Sequence, residues 1–332
     1  MLQRMEIKIM SKQKILDILK SSGSGYVSGE QISDMLGISR AAVWKSVKLL
    51  RQEGYIISSK TNRGYKLKAL PDILDAVKIK AMMKNTSAEI RYMESVDSTN
   101  NAMKKLALEG LEDNTVIIAN HQSAGRGRYG REFISTRGKG IYMSILLKPE
   151  RVEDIAGLTC MTAVAVCRAV EEYSKKEPKI KWTNDVLLGG RKICGILTEL
   201  SAEGESGEIR YVIVGIGINV NHEQADFPAE LRSTAGSLYM AQGQPVDRNR
   251  LAAELIDNVL YMYENIRQKR SEYMQEYRKR CVTLGKTVEF SRDNKPIKGL
   301  AESIEDDGTL TVLLKSGQRL AVKFGEVSII NA

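Results

Sequence analysis

The sequence predicts an α+β protein of several domains: an N-terminal winged helix-turn-helix, a central mixed sheet with helices packed on it, and a small C-terminal antiparallel β-barrel. Three observations carry this reading. Residues 1–70 hold 13 Lys/Arg against 5 Asp/Glu, so +8 of the chain's formal +9 lies in a segment patterned as helices and then two short strands. From about residue 85, apolar strands mix with amphipathic helices. After about residue 280 only short strands remain, separated by Asp-Gly and Ser-Gly turns. At 332 residues, 42% of them hydrophobic, the chain is long enough for two or three domains and at least one large core.

Residues 1–70 are read as one domain. Ile15, Leu16, Ile18 and Leu19 recur at helical spacing, and Ser21-Ser-Gly-Ser-Gly25 ends that helix. Ser28 with Gln31 three residues on is a capping-box arrangement, and Gly37 stands where a left-handed residue closes a short helix. Ser39 caps the next helix, Arg40 to Arg51, with Val43, Val47 and Leu50 on one face. Helix, glycine turn, helix is the helix-turn-helix pattern. Two alternating stretches from Tyr55 and Gly64, joined by Lys60-Thr-Asn-Arg-Gly64, add a wing with a basic tip. The candidate DNA-contacting residues are Gly29, Ser39, Arg40, Ala41, Trp44, Lys45, Lys48 and Arg63, with Trp44 equally open to a core role. Pro71 marks the boundary, and residues 71–84 read as a connector helix.

Residues 85–280 carry the candidate chemistry. Ser98-Thr-Asn100 opens a helix, either as a cap or facing a ligand. The stretch Gln122-Ser-Ala-Gly-Arg-Gly-Arg-Tyr-Gly-Arg131 follows the apolar run Thr115–Ala119. Its glycines let main-chain N–H groups approach a ligand, and its arginines offer planar donor forks to carboxylate or phosphate. It matches neither common nucleotide-binding glycine loop, and a solvated or RNA-binding basic loop is the plainer alternative. Gly140–Leu147 reads as a strand, 153–173 as a long helix buried on one face, and 247–280 as one charged helix. Lys179 to Asp185, a Gly189-Gly190 turn and Arg191 to Glu199 form a hairpin that sets Lys192 near the loop, although a lone lysine is usually solvated. Gly215 and Gly217 in the strand ending near Asn219 are expected to admit backbone or ligand closely. No nucleophile–histidine set or carboxylate pair stands out, so any catalysis rests on positioning and charge stabilisation. Residues 281–332 hold the barrel strands 287–290, 310–314 and 319–324.

The four cysteines lack C-x-x-C spacing, and the histidines are His121 and His222 alone, so neither a zinc site nor a disulfide framework is expected. No run approaches the roughly 20 apolar residues of a membrane span, and no apolar signal core opens the chain. A reducing cytoplasm fits, with no membrane partner.

Together, Ser98-Thr-Asn100, Gln122 with Gly125-Arg-Gly-Arg-x-Gly-Arg131, Lys181-Trp-x-Asn-Asp185, Arg191-Lys192 and Gly215-Ile-Gly-Ile-Asn219 resemble one family over essentially the whole chain. These are the bifunctional biotin–protein ligases that also repress biotin-synthesis genes. The resemblance implies a core related to class II synthetases and an SH3-like C-terminal barrel. It implies ligation through biotinyl-5′-adenylate, made from biotin and ATP with Mg²⁺. The biotinyl group then passes to a lysine of the biotin carboxyl carrier domain of a carboxylase.

By the same resemblance, Ser98, Thr99, Asn100, Gln122, Arg126, Gly127, Arg128, Lys192 and Asn219 bind biotin or nucleotide. Lys192, Arg126, Arg128 and Asp185 are the catalytic set, Arg131 helps hold the loop or the pyrophosphate, and no protein metal ligand is named. Operator DNA and a homodimer formed with bound biotinyl-5′-adenylate complete the implied partners. Two positions depart from the family pattern: Thr183 stands where proline is usual, and Phe133 where tryptophan is usual. A ligand-sensing repressor without catalysis, or a ligase for lipoate or octanoate, are the competing readings.

Overall fold

The computed structural model describes residues 2–23, 25–52, 55–60, 63–69, 72–85, 87–202, 209–292, 295–323, 325 and 327–330. The chain divides into two compact units, Met1–Ile73 and Leu74–Ala332.

In the first unit, α1 (Leu2–Ser21), α2 (Gly29–Leu36) and α3 (Arg40–Gln52) precede a hairpin of β1 (Ile56–Lys60) and β2 (Gly64–Ala69). The Ser28 hydroxyl accepts from the Gln31 N–H at 3.0 Å, while the Gln31 side chain accepts from the Ser28 N–H at 2.9 Å. Two of the orphan donors at the start of α2 are thus satisfied. Gly37 (φ 62°) ends that helix in the left-handed region, and the Ser39 hydroxyl caps α3 through Ala42. Ile15, Leu16, Leu19, Ile32, Val43, Val47, Leu50 and Ile57 form the core. Thr61 and Asn62 of the wing tip, and Pro71, lie outside the described residues.

The second unit opens with α4 (Ala76–Met82), shorter than the 71–84 reading. Asp75 caps it by accepting from the N–H groups of Val77 and Lys78, which fixes where the helix starts. There follow β3 (Glu89–Met93), α5 (Thr99–Ala107), β4 (Thr115–Ala119), β5 (Gly140–Leu147), α6 (Leu158–Glu171), β6 (Lys179–Lys181), β7 (Asp185–Leu188), β8 (Arg191–Ala202) and β9 (Ile209–Asn219). The seven strands make one mixed sheet in the order β3-β4-β5-β9-β8-β7-β6, with β3 and β4 the parallel pair. Alternation along the strands sorts their side chains to two faces. Ile117, Leu146 and Ile213 pack with Met103 of α5, whereas Val116, Ile118, Ile145, Val212 and Val214 join the main core.

Two long helices read from sequence take a different form. The 153–173 stretch is a short turn, then Gly157 in the left-handed region, then α6, which is buried nearly all round rather than on one face. Its Ala, Cys and Val side chains are small enough for close packing on every side. The 247–280 stretch is two helices after α7 (Leu238–Gln242), namely α8 (Arg248–Glu264) and α9 (Ile266–Arg280). Asn265 separates them, its amide donating to the Tyr261 carbonyl at 2.8 Å and competing with the helix ladder.

The last strands are β10 (Thr287–Arg292), β11 (Lys295–Ile304), β12 (Leu310–Leu314), β13 (Arg319–Val322) and β14 (Ser328–Ile329). They form an antiparallel sheet in the order β13-β12-β11-β10-β14. Among the described residues β13 and β14 do not pair, so the expected closed barrel is an open sheet here. Phe324, the predicted end of the strand from Arg319, lies outside the described residues.

Candidate active site and nucleic-acid face

A cavity of about 540 Å³ opens on the second unit, within the range of small-molecule sites. The start of α5, the loop after β4, the β6–β7 turn, the start of β8 and the end of β9 enclose it. Its lining brings together every predicted ligand and catalytic residue: Ser98, Thr99, Asn100, Gln122, Arg126, Gly127, Arg128, Asp185, Lys192 and Asn219, with Arg131.

The ambiguity at Ser98 resolves through Gln122. Ser98 is the N-cap residue of α5, yet its buried side chain makes no cap hydrogen bond. The Gln122 carbonyl instead accepts from the Thr99 N–H at 2.8 Å and from the Thr99 hydroxyl at 3.2 Å. Gln122 also donates to the Ser135 hydroxyl at 2.9 Å. The helix end is therefore served from the neighbouring loop, and the Ser98 hydroxyl stays on the cavity wall.

Asn100 is held more tightly than a cap or a ligand contact needs. Its amide donates to Glu199 at 2.7 Å and to the Leu197 carbonyl at 3.2 Å, and accepts from Ser144 at 2.6 Å. Burial alone would raise the Glu199 carboxyl, but the hydrogen bonds from Lys104 and Asn100 outweigh it and hold it below the usual range. The glycines of β9 serve this packing. A Cβ on Gly215 would fall 2.2 Å from the Asn100 amide oxygen, and one on Gly217 would fall 2.6 Å from the Phe133 ring. The close approach expected at these glycines is thus made by two side chains.

Three cations of the lining, Lys192, Arg126 and Arg128, each have a partner. Lys192 Nζ lies 2.7 Å from Asp185 Oδ1, with both side chains partly exposed. Arg126 donates to the Asn101 amide oxygen. Arg128 reaches Asn184 Oδ1 at 3.2 Å and the Gly325 carbonyl at 2.9 Å, so the C-terminal sheet helps set it. The same sheet region fixes the β6–β7 turn: Trp182 donates through its indole to the Gly308 carbonyl at 2.9 Å and through its N–H to Thr283 at 3.0 Å. The Thr183 carbonyl accepts from the Tyr277 hydroxyl at 3.1 Å. Asn219 Oδ1 is buried without a hydrogen-bond partner, an open acceptor on the cavity side. Sequence reasoning missed Asp97, Asn101, Ser135 and Glu199. The i,i+4 spacing of Asp97 and Asn101 across a helix start was the one available signal.

On the first unit, Ser39, Arg40, Ala41, Trp44, Lys45 and Lys48 are exposed along one helix and its entry, and Gly29 is half-buried. Trp44 is 53% exposed, which removes the core reading. Lys48 Nζ stands 5.5 Å from its ring centroid. At the wing, Lys60, Arg63 and Lys66 surround the Tyr26 ring at 5.7, 5.6 and 6.0 Å.

Comparison with known proteins covers both regions. The biotin/lipoate A/B protein ligase family matches residues 92–219, an HTH domain matches residues 11–66, and the biotin protein ligase C-terminal domain matches residues 283–329. The bifunctional ligase/repressor BirA of Bacillus subtilis is 34% identical, with 92% of this chain and 95% of that protein covered. The protein of the same name from Escherichia coli is 30% identical, with 92% and 93% covered. Among solved structures, the biotin protein ligase of Aquifex aeolicus in complex with biotin and ATP superposes with a TM-score of 0.64. It is 28% identical and covers 74% of this chain and 99% of that one.

Proposed function

The chain belongs to the family of bifunctional biotin–protein ligases and repressors, and from that premise we propose how its pocket and its basic unit divide the work. It is a biotin–protein ligase that uses biotin and ATP, and a DNA-binding repressor. The gathering of every predicted site residue around one cavity carries the assignment of roles.

In the first step the biotin carboxylate attacks the α-phosphorus of ATP, giving biotinyl-5′-adenylate and pyrophosphate. Ser98, Thr99 and Gln122 supply neutral hydrogen bonds for the ureido ring, on a floor made rigid by Asn100. Gly127 lets the loop backbone come close, while Arg126, Arg128 and Lys192 face the carboxylate and phosphate, and Arg131 the loop or pyrophosphate. The buried acceptor of Asn219 suits a donor on the nucleotide side.

Lys192 must leave Asp185 to act. A half-exposed ion pair is worth under about 1 kcal/mol. A preorganised cation gives a developing oxyanion about 3–4 kcal/mol. The exchange therefore runs toward the substrate. It also frees Asp185 to take the proton of the acceptor lysine as its amine attacks the acyl carbon and AMP departs. Mg²⁺ bound with the nucleotide would offset its phosphate charge. The carboxylates of the cavity lining beside which it would sit are Glu132 and Asp185.

The acceptor is a biotin carboxyl carrier domain, and the basic unit binds operator DNA of biotin genes in a cytoplasmic setting. We assign residues 1–70 to DNA binding, 71–84 to a connector, 85–280 to the ligase core, related to class II synthetases, and 281–332 to the C-terminal antiparallel sheet. Biotinyl-5′-adenylate then acts as corepressor by favouring a homodimer that presents two winged units. A strand edge supports the dimer: β7 pairs with β8 from Arg191 to Gly195 and Asn184 continues to Ile196, and the β7 ladder does not extend along β8 from Thr198 to Ala202 among the described residues. Transfer of labelled biotin to a carrier domain tests the ligase assignment. Label on the acceptor lysine is the expected result, and tight binding of biotin without transfer would move the chain to the sensing-repressor class.

A further inference from the structure

Arg126 has a neutral side-chain amide, Asn101, as its hydrogen-bond partner, and that amide is itself oriented. Asn101 donates its NH₂ to Asp97 Oδ2 at 2.9 Å. The other oxygen of Asp97 accepts from the Ser98 N–H at 2.8 Å. A carboxylate accepts only, so the Asn101 NH₂ must face Asp97 and the amide oxygen must face Arg126, where it accepts from the guanidinium. The hydrogen bonds from Asn101 and from the Ser98 N–H also hold the Asp97 carboxyl below the usual range, keeping it ionised.

We propose that Asp97 and Asn101 form a positioning relay that aims Arg126 at the anionic part of the substrate without pairing it directly to a carboxylate. The inference rests on the ligase reading above and deepens it. Direct pairing of Arg126 with Asp97 would have fixed the guanidinium equally well. It would also have spent the positive charge on a fixed carboxylate that the substrate must then displace. A neutral amide between the two gives orientation without that competition, because the charged pair is separated by one hydrogen-bonded group. The relay begins beside Ser98, so the wall that holds the ureido end and the cation that meets the carboxylate share one anchor.

The test is calorimetric binding of biotin and of biotin carboxamide, in which a neutral amide replaces the carboxylate, to wild type, Asn101→Leu, Asn101→Asp and Arg126→Leu, with thermal melts to verify folding. Asn101→Leu is expected to weaken biotin about tenfold, as for a hydrogen bond to a charged group, and to leave the carboxamide within about twofold. Asn101→Asp is expected to weaken biotin further, because its carboxylate competes for Arg126. In the Arg126→Leu background, Asn101→Leu should cost nothing more. Equal losses on both ligands, or an additive loss in the double variant, would assign Asn101 to structure alone and overturn the relay. A wild type that discriminates between the ligands, beside an Asn101→Leu that does so equally, overturns the relay and leaves the ligase reading intact. A wild type that fails to discriminate contradicts the reading of Arg126 and removes the relay with it.

Discussion

The cations of the two units are the same residue types held in opposite ways. Arg40, Lys45 and Lys48 project from α3 into solvent, where their attraction for a polyanion is long-ranged and tolerant of geometry. In the cavity, Arg126, Arg128 and Lys192 are each tied to a named partner: the two arginines to side-chain amides that orient them, and Lys192 to Asp185, which it exchanges for the substrate. Binding a phosphate backbone needs charge near a surface, whereas stabilising one developing oxyanion needs a donor at one place. On the roles proposed above, the difference is that between docking and chemistry within a single chain.

Changes that remove a pocket cation should give the largest effects. Lys192→Ala is expected to slow pyrophosphate release by about 10²–10³-fold, the cost of losing one oriented donor, with operator DNA binding by the ligand-free protein unchanged. Single-turnover kinetics beside gel-shift titration checks both halves. On the other unit, Arg40→Ala with Lys48→Ala should weaken DNA binding on all sequences alike and lower the salt slope by about two, with ligation untouched. Loss of ligation in that variant would break the comparison.

Buried groups around the cavity come next. His222 is fully buried and stacked on Phe227 at 5.3 Å, and burial pushes its pKa down to about 4 from 6.5. Its charged form is therefore disfavoured in the folded state, while the unfolded chain takes up the proton more readily. The stability this neutral histidine confers is complete above about pH 6.5. It falls as pH drops from 6.5 toward 4, by on the order of 3 kcal/mol. Urea midpoints across that window should fall in wild type and stay flatter in His222→Asn. Gly217→Ala should destabilise by about 1–3 kcal/mol through its clash with Phe133, a loss that Gly217→Ala/Phe133→Leu partly restores in thermal melts. The smallest effect expected is at Ser28→Ala, about 1 kcal/mol from the capping box, confined to the melting of the first unit.

What could be read from sequence was local chemistry. Ser28, Gln31 and Gly37 announce one helix because their caps are made within a few residues. The glycine–arginine stretch reads as a candidate anion loop from its residue types, and its Gln122, Arg126, Gly127, Arg128 and Arg131 line the cavity. What escaped depends on contacts distant in sequence. β11 was missed because Pro296 and Gly299 break its alternation, yet it sits in mid-sheet between β10 and β12. The break at Asn265 is hidden in a stretch whose charges keep helical spacing on both sides. Gly215 and Gly217 read as close-approach positions, but only the fold tells which side chains approach, since Asn100 and Phe133 come from other elements. Asn101 carried only the weak signal of its i,i+4 spacing from Asp97, because its other partner, Arg126, lies a loop away.

The central claim is that one molecule, made in the pocket, is both transferred to the acceptor and sensed by the DNA-binding unit. The most direct test is operator affinity at fixed salt with biotin alone, and with biotin plus ATP in the absence of acceptor. Operator binding at least tenfold tighter is expected when the adenylate forms, reversed on addition of carrier domain. Equal operator affinity under all three conditions would contradict it, leaving a ligase and a DNA-binding unit that share a chain without sharing a signal.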